Sequence, residues 1–366
     1  MAVIQAGDSS RDSVMLRGFW YSPLRSEQLG RGRPRGRGAL KKAMLLGTPL
    51  VIGRDREGRP FAMRDSCPHR GMPLSLGHFD GTQLECHYHG WRFDALSGQC
   101  RLIPSLTAES KLDVGRIHAG HFACEEHDGY IWTYVPYPGT KGDPEEPCPR
   151  LPVFSDKYTL MHLAADLPLS IDHGIIGLMD PAHGPFVHQA WWWRSQRSIH
   201  EKEKHFEPVP LGFRMSAHAP STNSGPYKLL HFYGDAVTTQ IDFVLPNMRT
   251  ELVQCGKKFF VNRTTVTPIR RDLCRLDFVA AWNIFTWLPV SLLLDVFGAR
   301  FIAQDRRVID AQQPGLKVQP KMMLIDDADR QARWYFELKD ALLTSRRTGQ
   351  PMTHPLPGPV TLKWRS

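Results

Sequence analysis

Cys67-Pro-His69, sixteen further residues and then Cys86-His-Tyr-His89 form the stretch on which the reading of this chain turns. Each half offers one thiol and one imidazole, followed at once by Arg70-Gly71 in the first case and Gly90-Trp91 in the second. Two thiolates and two neutral imidazoles can bind zinc tetrahedrally. They can also divide between the irons of a [2Fe-2S] cluster, cysteines on one and histidines on the other. A typical zinc finger pairs Cys with Cys and His with His; one Cys and one His in each turn suits a two-iron cluster clasped between two loops.

The surrounding chain is that of a packed protein. Its 366 residues leave room for two domains, and 42% hydrophobic with 23% charged residues excludes a disordered chain. Seven scattered cysteines do not make a disulfide framework; Cys100, Cys124, Cys148, Cys255 and Cys274 are expected to be buried thiols rather than ligands. His78 and His87 receive no ligand role. No secretory signal opens the sequence and no stretch reaches about eighteen uninterrupted apolar residues, so the expectation is a cytoplasmic protein without a membrane span. The net charge of +9 is partly local, in Arg31, Arg33, Arg35, Arg37, Lys41 and Lys42. That run lacks interleaved aromatics for stacking bases, which argues against nucleic acid and leaves a solvated loop or a docking patch for an acidic partner protein.

Alternating runs such as Pro49-Leu-Val-Ile-Gly53, Arg59-Pro-Phe-Ala-Met63 and Tyr130-Ile-Trp-Thr-Tyr-Val135 predict short antiparallel strands, hence a mostly β first domain over residues 18–136. Residues 137–152 form a proline-rich linker that can sustain neither a helix nor a central strand. Beyond it, the patterns predict strands over 227–233, 237–245, 249–255, 259–269 and 275–284, with helices over 171–179, 299–313 and 327–346. The second domain, residues 153–350, therefore reads as an α+β layer with one antiparallel sheet, followed by a tail over 351–366.

Cys-x-His followed by Cys-x2-His, with the glycines after each pair, resembles the Rieske motif. The resemblance implies a [2Fe-2S] cluster on Cys67, His69, Cys86 and His89, shielded by the two loops and hydrogen-bonded by their backbone amides. Two neutral histidines in place of thiolates raise its potential, to a range beginning near about −150 mV.

A second cluster of donors lies in Asp180-Pro-Ala-His183-Gly-Pro-Phe-Val-His188. Asp180 and His183 are one helical turn apart, and Gly184-Pro185 is expected to break the helix and let His188 swing back toward the same point. Two imidazoles can then share a metal, although histidines at this spacing also occur in structural cores. Downstream of a Rieske motif, the chain resembles the catalytic subunits of Rieske non-haem iron oxygenases over nearly its whole length. The resemblance implies an antiparallel helix-grip (START-like) catalytic domain with His183 and His188 as ligands of Fe(II). It also implies a carboxylate ligand from a distant helix, leaving open positions for O2. Gln304-Asp305-Arg-Arg-Val-Ile-Asp-Ala-Gln312 resembles that segment and nominates Asp305; Asp310 and Asp295 compete, and a surface aspartate paired with Arg306 or Arg307 is the ordinary alternative. In the family, the aspartate at the position of Asp180 accepts hydrogen bonds from its own His183 and from His89 of a neighbouring subunit in a head-to-tail homotrimer. A helix-capping aspartate before Pro181 is the plainer reading. Ile176 and Gly177 stand where many relatives carry an acidic residue and an asparagine.

The same resemblance implies electrons from NAD(P)H through a separate reductase or ferredoxin, since no Gly-x-Gly-x-x-Gly fingerprint occurs in the chain. Met179-Asp-Pro-Ala-His183 and Gln304-Asp305 are similar to the pheophorbide and chlorophyllide oxygenase branch, whose C-terminal Cys-x2-Cys is absent. The expected reaction is monooxygenation, by hydroxylation or oxidative demethylation, of a cyclic, largely apolar small molecule. A cis-dihydroxylating dioxygenase of aromatic rings and a Rieske electron-transfer protein are the alternatives. Phe186, Trp191, Trp192, Trp193, Phe285 and Trp287 are candidates for a pocket wall.

Overall fold

The computed structural model describes residues 14–29, 40–140, 142–188, 199–219, 229–234, 236–286, 290–318 and 322–366, without the side chains at 229, 231 and 290–296. The basic residues 31–37, Trp191 to Trp193, Trp287 and the Asp295 side chain lie outside them, whereas Lys41 and Lys42 are exposed at the start of a strand. The chain divides into two compact units, one of residues 15–150 with Thr267–Arg270 and one of residues 151–266 with Arg271–Ser366.

The first unit is built of small antiparallel sheets. In one, Tyr130–Val135 is buried along its whole length because it lies between Phe19–Arg25 and Cys124–His127. A second sheet joins Lys41–Leu45, Thr48–Arg54, Pro60–Arg64 and His121–Phe122. The third joins His78–Phe79, Gln83–Glu85, Arg92–Asp94 and Cys100–Leu102, and its core of Leu74, Phe79, Leu84 and Phe93 also encloses Cys67 and Cys86.

The second unit is an eight-stranded antiparallel sheet. Its order is Thr159–Leu167, Leu273–Trp282, Lys258–Arg270, Met248–Cys255, Thr238–Val244, Gly212–His218, Glu201–Val209 and Val360–Arg365. Among the described residues, four α-helices accompany it: α1 (Ile171–Met179), α2 (Gly184–Val187), α3 (Val290–Lys317) and α4 (Arg330–Thr348). The α+β architecture is the expected one, but four of the eight strands, Thr159–Leu167, Glu201–Val209, Gly212–His218 and Val360–Arg365, are not among those the sequence patterns predict. Leu229–Tyr233, read as part of a strand, is a 3-10 turn. The residues read as a tail supply the edge strand Val360–Arg365, which pairs with Glu201–Phe206 and buries Leu362 and Trp364 on one face of a period-two pattern. No helix among the described residues is long and apolar enough to cross a membrane.

Helix placement follows from steric and electrostatic fits. A Cβ at Gly174 of α1 would lie 2.7 Å from Val266 Cγ1 and 3.2 Å from Cys274 Sγ, so only glycine lets α1 sit this close to the sheet. Phe206, Phe213 and Phe243 on the sheet hold Trp334 and Tyr335 of α4 through tilted and edge-on ring contacts. Between α1 and α4 lies a buried ion pair. Lys339 Nζ donates to both oxygens of Asp172, at 2.7 and 2.8 Å, and Tyr335 Oη donates to the same carboxylate. Asp172 is 1% exposed and Lys339 3%. Breaking such a pair from one side leaves an uncompensated buried charge. Lys339→Met should therefore destabilise this unit by about 3–5 kcal/mol, whereas Asp172→Leu combined with Lys339→Met should recover much of the loss. The check is the unfolding transition of the single and double variants.

Candidate metal centres

The two loops of the first motif follow one plan. Cys67 N donates to Met72 O and Gly71 N to Cys67 O, both at 2.8 Å; Cys86 N donates to Trp91 O at 2.8 Å and Gly90 N to Cys86 O at 3.0 Å. Gly71 and Gly90 close the turns at φ +73° and +68°, a left-handed conformation that glycine adopts without a Cβ clash. Each turn thus sets its cysteine inside and its histidine at the rim. Cys67 and Cys86 are buried, and burial pushes the Cys67 thiol up to about 11, against the pull of the His69 amide and with a further push from Cys86 beside it. The His69 and His89 rings are 4.6 Å apart at 62°; Trp91 stacks on His69 at 4.6 Å and Tyr88 leans on His89 at 3.9 Å. Partial desolvation, then the charges of His89 and Arg70, lower the His69 pKa, which favours the neutral imidazole a metal requires. Two adjoining buried thiols and two paired imidazoles fit a [2Fe-2S] cluster with sulfur ligands on one iron and nitrogen ligands on the other.

The second motif is assembled by α1, α2 and α3. Helix α1 is capped at its start by Ser170, whose side chain accepts from His173 N, and stops at Asp180 before Pro181. Asp180 Oδ1 accepts from Ala182 N at 2.7 Å, fixing the corner. Pro185 then sits in the first turn of α2, where a missing N–H costs nothing, so Gly184-Pro185 begins a short helix rather than breaking one. His183 and His188 bracket that helix, with their Nε2 atoms 3.2 Å apart. Asp305 Oδ1 lies 3.1 Å from His188 Nε2, and the donor atoms of His183, His188 and Asp305 all fall within 4.8 Å of one another.

Helix α3 contributes more than the carboxylate. Gln304 Oε1 is 3.1 Å from His188 Nδ1, and the Phe301 ring stacks on His188 at 3.5 Å and 13°. Residues 301, 304 and 305 share one helical face, so helical spacing around Asp305 could have revealed both partners. By accepting Nδ1–H, Gln304 turns the Nε2 lone pair toward Asp305 and His183. Asp310 does not take part: it binds Arg306 at 2.8 Å, with both side chains exposed. The carbonyl of Asp180, not its carboxylate, is the near acceptor for His183 Nδ1, at 2.9 Å against 3.7 Å to Oδ2. Two imidazole nitrogens and one carboxylate oxygen from one side fit a divalent metal that keeps open positions.

Residues 19–114 match the family model of the Rieske [2Fe-2S] domain. Chlorophyllide a oxygenase of Chlamydomonas reinhardtii is 35% identical over 181 residues, 49% of this chain and 25% of that protein. Methylxanthine N1-demethylase NdmA of Pseudomonas putida is 34% identical over 138 residues, 35% of this chain and 38% of that protein. The solved NdmA QL mutant with theobromine, from Pseudomonas putida CBB5, shares the fold with a TM-score of 0.70 at 21% identity, over 94% of this chain and 96% of that one. The chain thus carries a Rieske [2Fe-2S] domain and, over most of its length, shares the fold of that solved structure. It spans about a quarter of the length of the chlorophyllide a oxygenases it matches.

At a candidate metal site of this kind, the partners of the histidines are as informative as the histidines themselves. A residue that orients a ligating imidazole is worth about 10–100-fold in metal affinity. Gln304→Leu should therefore weaken Fe(II) binding at His183, His188 and Asp305 by about that factor while leaving the helix in place, measured by Fe(II) titration with circular dichroism as the fold control.

Proposed function

We propose that this chain is the catalytic subunit of a Rieske-type monooxygenase that hydroxylates or oxidatively demethylates a cyclic, largely apolar small molecule. The observation that carries this reading is the convergence of His183, His188 and Asp305 in a chain that also bears the Rieske motif. A protein that only transferred electrons would have no use for a second centre. Relatives named as a demethylase and as monooxygenases support monooxygenation, and the 3-chlorobenzoate-3,4-dioxygenase oxygenase subunit of Comamonas testosteroni, 31% identical over 133 residues, keeps ring dihydroxylation as the second reading.

When bound, the cluster on Cys67, His69, Cys86 and His89 supplies single electrons, originating from NAD(P)H through a separate reductase or ferredoxin, and Fe(II) on the second set supplies O2 activation. His183, His188 and Asp305 would grip that iron from one side and leave the other side for O2 and substrate. Gln304 and the Asp180 carbonyl hold the two imidazoles with their Nε2 lone pairs convergent. Phe301 covers one face of the His188 ring, which is 3% exposed at its side chain, and so keeps water from that ligand. Met161, Val253, Ala280 and Trp282, packed with Leu163, Phe278 and Phe285, form a buried apolar core, and Leu163 lies against Gly298 of α3, so the carboxylate-bearing helix is backed by packed apolar side chains.

The protein purified without oxygen should carry about three irons per chain, two in the cluster and one mononuclear. Asp305→Ala should lose the mononuclear iron and all substrate-dependent NADH oxidation but keep the Rieske spectrum; Asp310→Ala should keep both. Iron analysis, visible absorption and mass spectrometry of products over a panel of cyclic compounds read the result. The reverse pattern would transfer the ligand role to Asp310.

Asp180 is proposed to join the centres of adjacent subunits in a homotrimer, by accepting from His89 of a neighbour. Its carboxylate supports this: Ala182 N engages Oδ1, while 36% of the side chain stays exposed. Asp180→Asn should keep both metals and the trimer yet leave the cluster reduced under turnover conditions. Near-normal product formation by that variant would refute the bridge.

A further inference from the structure

A third group of side chains of metal-ligand type lies within the first unit and includes no residue of either motif. Glu125 and His127 alternate along the strand Cys124–His127 and therefore share a face. The proline-rich segment brings Cys148 onto that face, with Cys148 Sγ 3.0 Å from His127 Nε2. One donor atom from each of Glu125, His127 and Cys148 falls within 4.8 Å of the others. Cys124 and Glu126 belong to the opposite face, where Glu126 is taken by Arg54.

The surroundings are organised around the imidazole. Asp128 Oδ2 lies 3.3 Å from His127 Nδ1, in a turn where Asp128 adopts φ +52°. A carboxylate on Nδ1 holds that nitrogen protonated and presents the Nε2 lone pair, which is the usual outer partner of a zinc-binding histidine. Trp132 stacks on the ring at 5.7 Å and 21°. Cys148 is 7% exposed, whereas the Glu125 side chain is 44% exposed and its Oε2 is 3.8 Å from Arg150 Nη2. The site thus has a buried sulfur, an oriented nitrogen and a carboxylate at an open mouth.

We propose that Cys148, His127 and Glu125 bind one Zn2+, with water in the remaining position. Thiolate, imidazole and carboxylate are all zinc ligands, whereas Mg2+ and Ca2+ call for oxygen alone. Binding is a ligand exchange without redox change: the thiol S–H bond breaks, its proton leaves to solvent, and the S–Zn bond forms. Thiolate and carboxylate together balance the charge of the ion. The consequence is structural. Trp20 Nε1 already donates to Glu146 O at 2.9 Å, and zinc would fasten the same segment a second time two residues on.

The test uses the full-length, iron-loaded protein, given Zn2+ and dialysed, and compares it with Cys148→Ser and Glu125→Gln. Zinc analysis and zinc X-ray absorption should find one ion per chain with a single sulfur at about 2.3 Å and an unchanged Rieske spectrum. Cys148→Ser should lose that zinc. Glu125→Gln, which leaves the thiol–imidazole contact intact, should weaken binding at least about tenfold. Zinc that lacks a sulfur ligand, that is lost on dialysis, or that is retained equally by Cys148→Ser would overturn the proposal and leave a simple thiol–imidazole hydrogen bond.

Discussion

The carboxylate of Asp172, buried against Lys339 and Tyr335, is the interaction on which the second centre depends. Helix α1 has only nine residues, too few to persist by its own backbone hydrogen bonds. Tertiary contacts must hold it. The ion pair fixes its first turn to α4, and Gly174 lets its middle rest on Val266 and Cys274. Once those two points are set, the corner at Asp180 and Pro181 and the short helix after it can place His183 and His188 in only a narrow range of positions. The Asp172–Lys339 pair, which offers no atom to the candidate centre, thus helps to set its geometry.

The two centres differ in how much of the fold they need. Each cluster loop is closed by two backbone hydrogen bonds within six residues, and the loop at Cys86 lies between neighbouring strands of one small sheet. That geometry is local and repeats almost unchanged at Cys67. The His183, His188 and Asp305 set is assembled from segments 116 residues apart at the contact between His188 and Gln304. It exists only after α3 has docked, because loop closure over such a span must be offset by packing such as that of Phe301 on His188.

Polar contacts also divide between ligands and their supports. Gln304, the Asp180 carbonyl and Asp128 all act on the far nitrogen of a histidine rather than on a metal. Each fixes one tautomer, and each leaves the opposite lone pair pointing at other donor atoms. The recurrence of this device at two separate places ties the proposed zinc site to the same chemistry as the candidate iron centre.

By itself, the sequence marked almost all of the candidate first centre. The ligand types, their spacing and the glycines lie within a short run whose conformation is set by backbone sterics, so reading residues 67–91 amounts to reading the site. It also determined the α+β character of the second unit and four of its eight strands, whose apolar residues run between turn-forming ones. Only the tertiary structure decided the remainder. The choice of Asp305 over Asp310 depends on which side of α3 meets His188, and five residues change that direction by more than a quarter turn. Val360–Arg365, read as a tail, became an edge strand because Glu201–Phe206 was there to pair with it. Cys148 was set aside as a plain buried thiol because its partners lie more than twenty residues earlier, on a strand whose alternation does not announce a ligand. Contacts across such distances leave no mark on local pattern, because the energy that makes them favourable comes from surfaces that meet only in the folded chain.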